Sequence, residues 1–541
     1  MKTYLERSLK NRLAQLGWPA DELQFSRPKK ADNGDWSTNI AMTLARVVRQ
    51  PPLKIAHTIM DELSLDREIV DRYDIVAPGF INFFQSPDYL AHQIRQIVAA
   101  DHRFGRNEQG AGQKAQVEFV SANPTGPLTV GHGRQTVLGD TIANILDWCG
   151  YDVVREYYFN NAGRQMRKLG ESLRARYLTL QGQPTPLPED GYQGEYLVDI
   201  AKDLLEKQPN LTAETEISVF KAYAEAGIFQ IIKGTLARMG VTHDVFYNEN
   251  TLYETGKIEE VLSELRRKNL VYEKDGATWF KTTELGFDQD RVLVKSTGEP
   301  TYRLPDMAYH REKFRRGFDL IVDVFGADHQ DTYPDVLAAL NVMGFDTTKV
   351  HVVIHQFVTL LRGDEVVKMS TRKAEYVTLD ELLDEVGVDV VRYFYIMRGA
   401  GSHLNFDLDL AKRQTEENPV FYLQYAHARI ASIFRKAEER GIAFDEKVDL
   451  APLNEPETLA LINELLDFPE VVARCLRTLE VHHLPNYLYS LATALHKFYT
   501  EHRVVSDNVA LSQARLFLLK AVKIALRNGL QVLGITAPER M

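Results

Sequence analysis

Between residues 116 and 159 the chain reads strand, loop, helix, strand, and this run restricts the fold more than any other stretch. VEFVSAN is strand-like, and PTGPLTVG is a loop with two prolines and two glycines. HGRQTVLGDTIANILDWCG then carries Val137, Ile142, Ile145 and Cys149 at helical spacing before Gly150 stops it. DVVREYYF is the next strand. Two strands joined through a helix lie parallel, so this order predicts a parallel α/β sheet. The sheet is expected to resume at DLIVDVFGAD and KVHVVIHQFV, with a mostly helical insertion over about 165–290.

A sheet of that kind does not occupy 541 residues, and the texture changes on either side of it. Residues 1–110 predict an α+β module: an amphipathic helix with leucines at 5, 9, 13 and 16, a helix from Ile40 to Val48, another through Leu63, and the strand-like IVAPGFINFF. The polar, glycine-rich RFGRNEQGAGQK reads as a linker into a second unit over 111–400. Residues 401–541 predict an all-helical third unit. Its last stretch, 501–541, holds six basic residues against three acidic, with Lys520, Lys523 and Arg527 on one helix face. The chain as a whole is acidic, at a net charge of -11, so a nucleic-acid partner has to be met by a local basic face. Two cysteines, Cys149 and Cys475, give neither a disulfide framework nor a cysteine zinc site. No apolar run reaches the roughly 18 residues of a membrane span, and the N-terminal helix does not read as a secretory signal. A cytoplasmic chain is expected.

The usual nucleotide loops are missing: Gly131-His132-Gly133 does not continue as G-x-G-x-x-G, and no G-x-x-x-x-G-K-[ST] occurs. Adjacent His482 and His483 do not have the i, i+4 spacing of helical metal ligands and read as surface or packing histidines, so no metal site is expected. Two separated segments remain. PTGPLTVGHGR follows a strand and opens a helix, putting a glycine where a nucleotide must approach the backbone and a histidine where free N–H groups favour phosphate. Lys368-Met369-Ser370-Thr371-Arg372, after GDEVV, supplies cations on a loop. Together they suit an ATP held from two sides.

At these residues the sequence resembles the class I aminoacyl-tRNA synthetases, and specifically the arginyl-tRNA synthetases. Thr129 to His132 matches the family's HIGH box except at its first position, and Lys368 to Arg372 matches its KMSKS loop with Thr371 in place of the second lysine. The likeness extends to VEFVSANPTGPL, EYYFNNAGRQM, PTYRLPDMAY, FGADHQ, SHLNFDLDLA, NPVFYLQYAHARI and the terminal APERM.

The resemblance implies a Rossmann-like catalytic core with an N-terminal module that reads the tRNA elbow and a C-terminal anticodon-binding domain. It implies a monomeric ligase that joins L-arginine to tRNA(Arg) using ATP, with Mg2+ carried by the nucleotide. Catalysis would rest on His132, Lys368 and Arg372, and ATP on Thr129, Gly131, His132, Lys368, Met369 and Ser370. Arginine would be held by Glu118, Asn123, His132, Tyr302, Asp306 and Gln330. A carboxylate meets a guanidinium bidentately and an aromatic ring can flank it, which suits Asp306 and Tyr302. The tRNA would meet Asn82 at the elbow and Tyr422, Tyr425, Arg435, Tyr499 and Met541 at the anticodon. Two other readings stand beside this one, the first motivated by the altered boxes. One is a catalytically silent tRNA-binding protein derived from such a synthetase. The other is a nucleotidyltransferase of the same superfamily, which the long helical C-terminus disfavours.

Overall fold

The computed structural model describes residues 1–21, 23–28, 33–363, 365–367 and 377–541. The expected cation loop, Lys368 to Arg372, lies outside the described residues.

The central sheet has five strands, all parallel, in the spatial order Val350–His355, Leu320–Gly326, Lys114–Glu118, Asp152–Phe159, Val245–Asn248. Val117 pairs with Val322 on one side and Arg155 on the other. The chain starts in the middle strand, builds outward to one edge, then crosses back to build the other half. That reversal leaves a crevice beyond the carboxyl ends of the strands, where open α/β sheets take their ligands. The helix Val130–Trp148 crosses this region buried on almost every side. Its close approach to the sheet requires Gly139, where a Cβ would stand 2.2 Å from the Phe119 ring.

The insertion is less helical than its sequence suggests. Helices Gly163–Leu180, Tyr196–Lys207 and Ile217–Arg238 pack together, but Val245–Asn248 then returns to form the edge of the central sheet. Beyond it, Val271–Lys274, Ala277–Phe280 and Arg291–Val294 form a small antiparallel sheet. Four-residue strands carry too few alternations for periodicity to register them.

The first helix, Lys2–Gln15, buries Leu5, Leu9 and Leu13 with Ile40, Ile55, Ile59, Ile81 and Phe83, a core separate from the rest. This core rests on a three-stranded antiparallel sheet, Trp36–Thr38, Phe80–Gln85 and Val70–Val76, with Phe80–Gln85 in the middle. Helix Pro87–Ala100 instead sends Leu90, Ile94 and Ile97 into the large core shared by the sheet and the C-terminal helices. That core includes residues of Pro419–Glu439, Pro456–Leu466, Phe468–Thr478, His483–Glu501 and Val509–Val532. The catalytic and helical units are also joined by buried Arg392, which donates to Asp140 and to the carbonyls of Met239 and Leu533.

The basic face on the last helix is partly used internally. Arg527 pairs with Asp101, Lys523 with Glu539 and Arg515 with Glu455. Among the described residues no helix is long and apolar enough to cross a membrane.

Candidate active site

A cavity of about 840 Å3 opens at the crevice between the sheet halves. Such a volume suits a nucleotide-sized ligand. Its walls come from the ends of all five strands, His355 closing the last of them, and from two helix starts. Glu118 and Asn123 follow the middle strand, Asn160 the next, Glu249 the edge strand, and Gly326 and Asp328 the returning one. Thr129, Gly131 and His132 enter from the start of Val130–Trp148, and Tyr302 and Asp306 from the start of Arg303–Arg315.

His132 is fixed in one tautomer. Its Nδ1 accepts the backbone N–H of Thr129 at 3.1 Å, with the Thr129 hydroxyl 3.0 Å away, so Nε2 carries the hydrogen. Burial lowers its pKa, which keeps the ring neutral and a donor. The Thr129 hydroxyl stands beside the His132 ring because, as N-cap, Thr129 sits one helical turn from it. Gly131 leaves open space where a side chain would stand: a Cβ there would meet only the Thr129 hydroxyl, at 3.7 Å. The neighbouring Arg134, fully buried, donates to the carbonyls of Gln356, Gly399 and Ser402 and so anchors the Gln356 to Val358 wall.

The opposite wall is anionic. Among the described residues nothing donates to the carboxylate of Asp306, and burial raises its pKa to about 7, with Glu118 and Glu249 nearby adding to the rise against the opposing pull of His310 and Lys313. Glu249 is buried, where Asp306 is half-buried; burial raises the pKa of Glu249 against the opposing pull of bonds from the Tyr158 hydroxyl and the Asn160 amide, both at 2.8 Å. Glu118 accepts from Ser121 at 2.9 Å and from the buried ammonium of Lys313. Lys313 also pairs with Asp323, whose other oxygen meets His310 at 2.9 Å. Tyr302, 83% exposed, and the exposed ring of Phe357 both line the cavity.

Seven of the residues expected from the sequence therefore line one cavity: Glu118, Asn123, Thr129, Gly131, His132, Tyr302 and Asp306. Gln330 does not; it lies exposed just past His329, which does. Glu249, Tyr158 and Asn160 escaped the sequence reading. Glu249 had a signal, since it directly follows VFYN and acids after parallel strands face the crevice.

The residues expected at tRNA lie far along the chain from this cavity. Asn82 is buried on the middle strand of the N-terminal sheet, between Ser37 and Asp74. Tyr422 is buried against Tyr489 and His496, with ring centroids 5.0 and 4.6 Å away, while Tyr425 stacks on His496 at 5.9 Å. Tyr499 accepts from Arg429, Arg435 reaches the carbonyl of Glu539, and Met541 is exposed.

Three family models match in chain order: the arginyl tRNA synthetase N-terminal domain over 3–85, the catalytic domain of class I (R) tRNA synthetases over 93–391, and the DALR anticodon binding domain over 423–541. An arginine–tRNA ligase of Desulfotalea psychrophila is 50% identical across the whole chain and 99% of its own length. The chain belongs to the arginyl-tRNA synthetase family. Another arginine–tRNA ligase, from Salinibacter ruber, is 49% identical with full coverage of both chains. The arginyl-tRNA synthetase structure from Thermus thermophilus has the same fold, with a TM-score of 0.77 over 99% of each chain at 23% identity. Against full-length matches to arginyl-tRNA synthetases, with a matched anticodon domain, the small-molecule nucleotidyltransferase reading loses its ground.

Proposed function

We propose that this arginyl-tRNA synthetase works as a cytoplasmic monomer that takes MgATP, L-arginine and tRNA(Arg), with the following division of labour. An arginine carboxylate oxygen attacks the α-phosphorus, pyrophosphate leaves, and the terminal ribose hydroxyl of the tRNA then takes the arginyl group with release of AMP. No protein nucleophile is needed, so the residues act by positioning and by stabilising charge on the transferring phosphorus.

His132 donates from Nε2 to the nucleotide, Gly131 admits it to the helix start, and Thr129 orients the imidazole. Lys368, Met369, Ser370 and Arg372 close over the pyrophosphate from the other side. Asp306 and Glu249 receive the guanidinium, Tyr302 flanks it, and Glu118, Asn123 and Gln330 orient the amino acid backbone. Residues 1–110 serve the tRNA elbow through Asn82, 111–400 the chemistry, and 401–541 the anticodon. There Tyr425, Arg435, Tyr499 and Met541 offer rings and charge, while Tyr422 contributes by packing on His496, the ring Tyr425 also stacks on.

The observation that carries this reading is the carboxylate of Asp306, which among the described residues accepts no hydrogen bond, beside Glu249 and in the same cavity as the donor His132. An uncompensated buried carboxylate is costly unless a ligand cation completes it. Charging of bulk tRNA with each labelled amino acid is the test. Arginine alone should be accepted, and only with ATP; absence of charging would favour the silent tRNA-binding reading.

A further inference from the structure

The two histidines at 482 and 483 do converge, against the expectation from their adjacency. Helix Phe468–Thr478 ends in a left-handed residue, Leu479, with φ of 55°, and the next helix starts at His483. This tight reversal, closed by bonds from His483 and Leu484 to the carbonyls of Glu480 and Val481, brings the two imidazoles to a centroid separation of 4.2 Å. One ligand atom from each of Glu480, His482 and His483 lies within 4.8 Å of the others. His483 Nε2 stands 3.1 Å from Glu480 Oε2.

A second observation comes from His482 itself. Its Nδ1 is shut off from solvent and has no hydrogen-bond partner among the described residues, an uncommon state for a buried polar atom. The same side chain lines a cavity of about 450 Å3 at the seam between the sheet strand Val350–His355, the Gly399 to Ser402 segment and the helical domain. A Cβ on Gly399 would lie 3.7 Å from that Nδ1, in ordinary contact, so this wall stands directly against the His482 ring.

We propose that Glu480, His482 and His483 bind one divalent transition-metal ion of the Zn2+ class, with water from the cavity completing its coordination. Two imidazoles and one carboxylate are a donor set for Zn2+ and unsuited to Mg2+, which takes oxygen ligands. Arg474 and the helix start oppose a cation here, and the half-exposed Glu480 carboxylate offsets them. The Gly399 to Ser402 wall is the segment Arg134 holds from the catalytic helix, so an ion would brace the seam between the catalytic and helical units.

The test uses the full chain, stripped with a chelator and titrated with ZnCl2 against a chromophoric competitor. One equivalent should bind, Zn2+ should raise the melting temperature where Mg2+ does not, and Co2+ should give the absorption of a tetrahedral site. His482→Gln and His483→Gln should each weaken binding at least ten-fold while melting like the parent in chelator; Glu480→Gln should weaken it less. No stoichiometric binding by the parent, or equal binding by the His482→Gln/His483→Gln double variant, would overturn the proposal.

Discussion

The ammonium of Lys313 lies 2.5 Å from Oε2 of Glu118, and both side chains are buried. The same Nζ reaches Asp323 at 2.5 Å and stands 4.4 Å over the Tyr309 ring. This one cation ties the helix that carries Asp306 to the end of the strand that carries Glu118, so the two acids on the cavity wall keep a fixed relation. Lys313→Met leaves two buried carboxylates uncompensated and should cost about 3–5 kcal/mol of stability, seen as a large fall in melting temperature. A variant that melts like the parent would mean His310 and Ser121 suffice to hold those acids.

Arginine binding should depend on pH through Asp306. Its carboxyl, held near 7 by burial, is ionised above that value and neutral below it, so affinity for the guanidinium falls as pH drops through about 7. The arginine KM should rise by up to roughly ten-fold per unit of acidification there, with the ATP KM nearly flat. Asp306→Asn should raise the arginine KM by about thirty-fold or more, equivalent to roughly 2 kcal/mol, and should remove most of this pH dependence, leaving the part due to Glu249. A wild-type arginine KM constant from pH 6 to 8 would move recognition elsewhere.

The same carboxyl has a consequence for stability of opposite sign to that of a salt-bridged acid. A raised folded pKa means folding favours the protonated form, so the penalty is absent below the unfolded value near 4, grows with pH, and is complete above about 7. Without substrate, Asp306→Asn should therefore stabilise the protein at pH 8, by up to about 4 kcal/mol, and have little effect at pH 4. Melting curves at the two pH values, with arginine absent, decide it; a destabilised variant at pH 8 would show that the carboxylate has a partner in solution.

Much of this was legible beforehand because local pattern and global fold agree. The strand Asp152–Phe159 and the helix Val130–Trp148 fall where DVVREYYF and the run after PTGPLT predicted them, and each buries a stretch long enough for its period to show. What was not legible depends on residues distant in sequence. Glu249 joins the site from an edge strand 90 residues after Phe159 because the helical insertion returns to the sheet. Lys313 sits in a charged run, AYHREKFRR, that reads as a solvated helix face; it is buried because Glu118 and Asp323 wait for it on separate strands. His482 and His483 converge through a left-handed turn that their spacing does not announce.

The N-terminal module is held to the helical unit by Arg27. Its guanidinium meets Asp467 at 2.6–3.0 Å and Asn463 at 3.2 Å, and lies over the Trp36 ring at 4.5 Å. The module has its own core, so loosening this contact should release it without unfolding it. Arg27→Ala should weaken docking by about 1–3 kcal/mol, the pair being partly exposed, and should expose the 86–110 region to limited proteolysis. If the elbow-reading role is right, the KM for tRNA rises while the arginine KM does not. Unchanged proteolysis would mean that the bond Gln85 donates to Asn463 and the bond Asn463 donates to Asp35 hold the module without Arg27.

The pairing of His132 with Thr129 separates two roles at the first box. A backbone N–H can only donate, so the Thr129 amide fixes Nδ1 as acceptor whatever side chain residue 129 carries. His132→Ala removes the Nε2 donor and should lower turnover by roughly a hundred-fold or more. Thr129→Val removes the hydroxyl contact to Nδ1 but keeps the amide, so it should cost less than about ten-fold. Thr129→His, which restores the common first residue of the box, should leave turnover alike or raise it. Steady-state charging rates of the three variants at saturating tRNA measure this. A Thr129→Val enzyme as damaged as His132→Ala would mean that the hydroxyl itself serves the nucleotide and that the amide alone does not orient the ring.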